Sequence, residues 1–323
     1  MKILVIGGAG YIGSHVVKAL MKNGHEITVF DNLSTGLRQN LFKQNEFIYG
    51  DILIKKDLDS VFSQVFDACI HLAAFKATEE SMFSPEKYSE NNISGTLNIL
   101  NSACKYNCKN IIFSSSATIF GTPQYLPLDE NHPINPENYY GFSKKCIEEI
   151  LEWYSKLKGI NYSSLRYFNA AGYDVDGELS GIEQNPVNLI PVIMETACGI
   201  RTEMSILGYD YDTPDGTSIR DYVHVTDLAD AHVKALEYIA SNNTNLKLNL
   251  GSEVGTSVKE VIEVARKITG KEIKNKIAER RLDAPSELYA TSKLAKKILG
   301  WNPKYSDIET IIKTTWDAYL KNI

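Results

Sequence analysis

Apolar residues in the first half of the chain come in short runs closed by turn residues. Ile3-Leu4-Val5-Ile6 is unbroken by any polar residue and stops at Gly7-Gly8. A run of that length, so bounded, reads as a strand buried on both faces. From Tyr11 the period changes, and Ile12, Val16, Ala19 and Leu20 fall on one helical face. The same alternation continues, with strands read at 2–6, 26–30, 46–49, 67–72, 109–113 and 160–168 and helices at 11–23, 55–64, 91–107 and 138–158. Strands alternating with helices predict an α/β fold built on a doubly wound parallel sheet. After Asn169 the texture changes: 170–186 is loop-like, 187–199 helical, and 208–217 holds turn chemistry. Helices return at 227–241, 257–269, 293–299 and 306–321 with short strands between them. The expected organisation is a first domain over 1–169, completed by 217–241, and a second, smaller α/β domain from most of 170–323. The second would close over the carboxyl ends of the sheet strands, where ligands of such sheets bind.

The first strand, glycine turn and helix carry specific chemistry. Gly7-Gly8-Ala9-Gly10-Tyr11-Ile12-Gly13 lies between a strand and a helix N-terminus, as in the Rossmann fingerprint. Free backbone N–H groups and the positive helix end there form a cradle for a pyrophosphate. Asp31 ends the second strand. A carboxylate at that place accepts from an adenosine ribose and repels a 2′-phosphate, which selects NAD over NADP.

A second constellation follows. The run Ile111-Ile112-Phe113 leads into Ser114-Ser115-Ser116, and Tyr140 and Lys144 come later at i and i+4 on one helix face. A tyrosine with its usual pKa near ~10 is a poor base at neutral pH. An ammonium one turn away and a cationic nicotinamide are expected to lower that value. Ser116 would hold a substrate hydroxyl towards the tyrosine oxygen while a carbinol loses its proton and a hydride. The Tyr-x-x-x-Lys spacing also occurs at Tyr154/Lys158 and Tyr289/Lys293, both read as surface helix pairs because neither follows a serine-tipped strand.

Composition narrows the function class. The 323 residues are 43% hydrophobic, enough for full cores, and the net charge of −6 shows no basic run, which argues against nucleic acid as a partner. Five cysteines, an odd number without any Cys-x-x-Cys, read as reduced and mostly buried thiols of a cytoplasmic protein. Cys104 and Cys108 are spaced for one helix face. A strand beginning at residue 2 leaves no room for a signal peptide, no run is of membrane-spanning length, and the histidines lack ligand spacing, so no membrane and no metal are expected.

These motifs resemble extended short-chain dehydrogenases/reductases and, more closely, UDP-glucose (UDP-galactose) 4-epimerases. The resemblance runs nearly end to end: GGAGYIGSH at 7–15, DNLS at 31–34, GDI at 50–52, HLAAFKATEES at 71–81, NN at 91–92, FSSSATIFG at 113–121, NYYGFSKK at 138–145, LRYFNAAG at 165–172, RDYVHVTDLADAH at 220–232 and LGW at 299–301. The Arg220-Asp221-Tyr222 block is specific to nucleotide-sugar members. Related 4,6-dehydratases carry an Asp-Glu pair beside the catalytic hydroxyl, where this chain has Ala117 and Ile119.

The resemblance implies catalysis by Tyr140, Lys144 and Ser116. It implies NAD contacts from Gly7, Gly10, Tyr11, Ile12, Asp31, Asn32, Asp51, Ile52, Ala73, Lys76, Asn91, Tyr140, Lys144 and Tyr167. It implies UDP-sugar contacts from Lys76, Ser116, Asn169, Asn188, Leu189, Ser205, Leu207, Arg220, Tyr222, Arg281 and Leu288. Family members read Arg-Arg-x-Gly-Asp where this chain reads Arg280-Arg281-Leu282-Asp283-Ala284. Without a gap, Asp283 falls on the glycine and Ala284 on the ribose-binding aspartate, so that contact is shifted or lost. The same alignment puts Leu288 at the gate of the sugar pocket, smaller than the family's tyrosine and bulkier than its serine. The implied activity is NAD-dependent interconversion of UDP-galactose and UDP-glucose at C4, with weaker activity on N-acetyl sugars. Its rivals are 4-epimerisation of another UDP-sugar and a non-catalytic NAD-binding scaffold. A homodimer is implied through Ile93, Leu97, Leu100, Cys104, Cys146, Ile147, Ile150, Trp153 and Tyr154.

Overall fold

A computed structural model describes residues 1–280 and 285–323. Its strands in chain order are β1 (Lys2–Ile6), β2 (Glu26–Asp31), β3 (Glu46–Tyr49), β4 (Ala68–His71), β5 (Asn110–Ser116), β6 (Asn161–Tyr167), β7 (Asn169–Ala171), β8 (Met204–Leu207), β9 (Ile219–His224), β10 (Leu246–Leu250), β11 (Gly255–Ser257), β12 (Asn275–Ala278) and β13 (Glu287–Leu288). The helices are α1 (Tyr11–Lys22), α2 (Lys55–Phe62), α3 (Thr78–Phe83), α4 (Pro85–Tyr88), α5 (Gly95–Lys105), α6 (Tyr139–Lys158), α7 (Leu189–Ala197), α8 (Val225–Asn242), α9 (Val258–Thr269), α10 (Lys293–Leu299) and α11 (Ile308–Leu320).

Among the described residues, seven strands form one parallel sheet in the order β10-β6-β5-β4-β1-β2-β3. The apolar runs of β1 and β4 are buried on both faces, as a sheet covered by two helix layers requires. One layer is α1 with α8, whose Val16, Leu20, Leu228 and Leu236 share a core with Ile3, Val5 and Ile112. The other is α2, α5 and α6, whose Leu58, Ile99, Ile147 and Leu151 pack on Leu4, Ile6 and Phe113. A separate core joins Ile193 and Met194 of α7, Ile206 of β8, Val261 of α9 and Ile312 of α11. The sheet's own core also takes in β10, Ala295 and Trp301 from late in the chain. No helix among the described residues is long and apolar enough to cross a membrane.

The structure corrects several local readings. Residues 89–94 form a π-helical turn and α5 begins only at Gly95; within that turn the Asn92 side chain accepts from the Phe75 N–H and donates to its carbonyl. α5 ends at Lys105, so Cys108 does not share a helix face with Cys104: it is buried beyond the helix while Cys104 is half-buried. β5 runs on to Ser116, since a parallel partner, β6, bonds the serine segment as regularly as the apolar one. Residues 169–171, placed partly in a loop, pair with β9. Tyr289 precedes α10 rather than lying on it. All five cysteines are free.

Four of the buried histidines make stability depend on pH. Burial pushes His15 and His232 down to about 4 and His71 and His224 down to about 3. In the unfolded chain they titrate near ~6.5. Between about pH 6.5 and 4 the unfolded chain therefore binds protons that the folded one refuses. Stability falls as pH drops through that window, by up to about 1.4 kcal/mol per pH unit for each histidine. Urea unfolding at pH 6.5 and 5.0 measures this. His232→Gln should flatten the slope by about one histidine's share, and an unchanged slope would mean that His232 titrates normally.

Candidate active site

The glycine turn that leaves β1 is locked by β2. Asp31 accepts the Ala9 N–H at 3.0 Å and the Leu33 N–H at 2.8 Å, which fixes the turn against the loop after β2. Gly7 has φ +84°, and a Cβ there would sit 2.6 Å from the Ala73 nitrogen, so only glycine lets the two loops meet. The result is a cleft above the sheet's carboxyl edge. Gly7, Gly10, Asp31, Asn32, Ile52, Ala73 and Asn91, all expected from the sequence, line it. Ile6, Phe30, Leu72 and Phe75 add an apolar wall. Asp51 stands behind, accepting from Asn32 at 2.9 Å. Glycine amides, a buried carboxylate and a flat apolar wall are the donor set that a dinucleotide takes.

Tyr11 points elsewhere. Its hydroxyl donates to the Gly172 carbonyl and its ring lies 5.3 Å from that of Tyr173, which ties the glycine turn to the chain after β7. Ile12 packs against the core of the α1 layer. Lys76 forms an ion pair with Glu183 at 2.9 Å.

The second cluster lies at the ends of β5 and β6. Ser116 pairs with Tyr167 across these strands. The Ser116 hydroxyl shares a hydrogen bond with Thr118 and caps the Ala117–Ile119 turn. Tyr140 and Lys144 project from α6 onto this edge. The Lys144 ammonium donates to the Ser114 carbonyl at 2.8 Å and lies 5.6 Å from the Tyr140 ring centre. The expected lowering of the tyrosine by the lysine does not appear. Burial pushes Tyr140 up to about 12, opposed by a hydrogen bond from Ser116. Burial pushes Lys144 down to about 7, so desolvation dominates at both residues. Tyr167 is raised above the ordinary tyrosine range, also by burial.

Most of the residues expected at a nucleotide-sugar lie on β7, β8, β9, β13 and the start of α7. Asn169 pairs with Tyr222, and Arg220 with Leu288, in the small sheet around β9. Arg220 donates to the Ile219 and Ser286 carbonyls. Leu288 packs against the small core of Ala117, Ile119, Phe120 and Leu128 that adjoins the Ser116 turn. Asn188 and Leu189 open α7, and Ser205 and Leu207 are exposed on β8. Arg281 and Asp283 lie outside the described residues.

Sequence reasoning missed the ion pair under this site. Glu148 and Arg166 are both buried and meet in a two-pronged contact at 2.9 and 2.7 Å, and Ser115 donates to Glu148 at 2.6 Å. The signal was present: Glu148 continues the Tyr140–Lys144 face by one more turn. The pseudo-motif at Tyr154/Lys158 is surface, with the Tyr154 hydroxyl on exposed Asn101.

A glycine-turn cleft with Ser116, Tyr140 and Lys144 at the same sheet edge defines the dehydrogenase/reductase class of dinucleotide fold. Residues 3–251 match the NAD dependent epimerase/dehydratase family. The chain is 44% identical to the UDP-glucose 4-epimerase of Lacticaseibacillus casei, over 98% of its own length and 96% of that protein's. It superposes on the UDP-glucose 4-epimerase of Brucella ovis in complex with NAD with a TM-score of 0.95 at 42% identity, covering 98% of this chain and 97% of that one. The enzyme of Bifidobacterium longum in complex with NAD+ and UDP gives a TM-score of 0.95 at 35% identity, covering 100% and 99%. The chain belongs to the NAD dependent epimerase/dehydratase family.

Proposed function

We propose that this chain interconverts UDP-galactose and UDP-glucose by inverting C4 of the sugar. The observation that carries the reading is the convergence of Ser116, Tyr140 and Lys144 beside the glycine-turn cleft. The relatives at 44% and 42% identity, both UDP-glucose 4-epimerases, support it. Bound NAD supplies the hydride acceptor and donor for C4 together with a cationic ring. Gly7, Gly10 and the backbone N–H groups of Tyr11 and Ile12 would hold its pyrophosphate, and Asp31, Asn32, Asp51 and Ile52 its adenosine end. Ala73, Lys76, Asn91, Tyr167 and Lys144 would complete the cofactor's contacts.

The Tyr140 oxygen takes the proton of the sugar's 4-hydroxyl, and Ser116 holds that hydroxyl in line. Lys144 stands one turn from the phenol, and the cationic ring that NAD brings would favour the phenolate against the burial that favours the phenol. Asn169, Asn188, Leu189, Ser205, Leu207, Arg220 and Tyr222 anchor the UDP, so that tight binding is confined to the nucleotide and the sugar is free to turn. Arg281 would join them. In this reading residues 1–169 with α8 and β10 form the cofactor domain, and most of the remaining chain forms the substrate domain.

Conversion of UDP-galactose to UDP-glucose without added NAD tests the activity. A protein that holds NAD yet shows no turnover would be the scaffold instead. Because NAD is recycled and Asp31 disfavours a 2′-phosphate, the purified protein should release NAD(H) on denaturation. Release of NADP would overturn the cofactor reading.

The protein is further proposed to be a cytoplasmic homodimer. Leu100 and Ile147, expected at the interface, are buried in the chain's own core, but Trp153 is 60% and Leu157 71% exposed on α6. Cys104, Cys146, Ile150 and Tyr154 are only half-buried around them. Pairing α5 and α6 with a second copy would cover this strip. Sedimentation should give a dimer at micromolar concentration, and a concentration-independent monomer would refute it.

A further inference from the structure

We propose that Ser81 is a positioning residue for Tyr140: it holds the base's main chain so that the phenol oxygen stays within reach of both Ser116 and the sugar hydroxyl. The argument starts at the N-terminus of α6. The first N–H groups of a helix have no partner inside it and must be satisfied from outside. Asn138 caps α6 by accepting the Gly141 N–H at 2.9 Å. The N–H of Tyr140 itself is taken by Ser81, at 3.0 Å, from a helix 59 residues earlier in the chain. Ser81 is fully buried. Its own O–H is donated to the Thr78 carbonyl at 2.5 Å, which turns an oxygen lone pair towards Tyr140.

Further contacts fix this first turn of α6. Ser143 donates to the Tyr140 carbonyl at 2.7 Å. A Cβ on Gly141 would lie 2.6 Å from the Thr118 carbonyl oxygen, so the first turn of α6 rests directly on the turn that carries Ser116. The Tyr140 ring meets the Tyr88 ring edge-on at 6.4 Å. Ser81 links the base to the cofactor side by a hydrogen bond, beside Tyr88, whose ring meets those of both Phe75 and Tyr140. It follows Phe75 and Lys76 in one continuous segment, and Phe75 lines the cleft. The base and the cofactor wall are thereby referenced to each other, and the buried Ser81 hydroxyl makes the hydrogen bond between them. Removing it leaves the Tyr140 N–H without an acceptor in a dry place and frees the first turn to shift. A shift of about 1 Å at a reacting group can cost about 10²-fold in rate.

This inference rests on Tyr140 being the base, and the experiment separates the two. Ser81→Ala and the near-isosteric Ser81→Cys are compared with wild type and with Tyr140→Phe as NAD-loaded protein. Ser81→Ala should lower kcat for UDP-galactose by between about 10-fold and about 100-fold. The KM and the affinity for UDP should stay within about twofold, since the nucleotide contacts lie elsewhere, and Ser81→Cys should fall between. In a Tyr140→Phe background Ser81→Ala should cause no further loss, because the oxygen it positions is gone. A kcat within twofold of wild type in Ser81→Ala would overturn the inference. So would equal losses in kcat and UDP affinity, or a full additional loss in the Tyr140→Phe background. Normal turnover by Tyr140→Phe alone would instead overturn the assignment of the base.

Discussion

Tyr140→Phe should fold, bind NAD and UDP as wild type does, and lose turnover by at least about 10²–10⁴-fold, the share that a positioned proton acceptor supplies. The substitution removes one oxygen and nothing else. The ring stays buried against Tyr88, and Ser116 keeps its hydrogen bond to Thr118, so no polar group is orphaned. Trading a buried hydroxyl for a hydrogen without stranding its neighbour costs stability little. Lys144 also keeps its bond to Ser114. Tyr154→Phe is the matched control: it has the same lysine spacing, but its hydroxyl meets only the side chain of Asn101 at the surface. Its kcat should stay within about twofold. Comparable losses in both variants would mean that the spacing, rather than the sheet edge, had been mistaken for chemistry.

Glu148→Gln should be the most destabilising single change near the site. Glu148 and Arg166 are both about 2% exposed, and the pair is locked by two contacts. Breaking a buried ion pair by neutralising one partner typically costs about 3–5 kcal/mol, because the other charge is left uncompensated in a dry place. Lys247, 3.9 Å from Glu148 and engaged by Glu152, is a second cation and cannot compensate Arg166. The remaining Arg166 would also lie near Glu130, whose carboxyl is held up by burial. That neighbour offsets only part of the loss. Replacing both partners, with Glu148→Leu and Arg166→Met, should recover much of it, because no charge is then buried. Urea midpoints for the three variants decide the matter. A loss below about 1 kcal/mol in Glu148→Gln would show that the pair is better solvated than its burial indicates.

The two variants also separate roles that share one helix face. Tyr140, Lys144 and Glu148 follow one another at intervals of four on α6. The first is expected to lose rate without stability, and the third to lose stability.

The sequence by itself determined the alternating strands and helices, the glycine turn, Asp31 at the end of β2 and the Ser116, Tyr140 and Lys144 set. Each of these is a local pattern: buried parallel strands must be apolar on both faces, a close turn demands glycine, and a helix face repeats every three to four residues. Tertiary structure decided what depends on partners far apart in the chain. β10 joins the sheet beside β6 because a crossover through α8 brings it there, and its five residues carry no mark of that destination. Ser81 reaches Tyr140 across 59 residues, and Glu148 meets Arg166 only once α6 lies on β6. The protonation balance of Tyr140 and Lys144 was likewise invisible, since their spacing reports mutual distance while burial, which sets both values here, is a property of the closed fold.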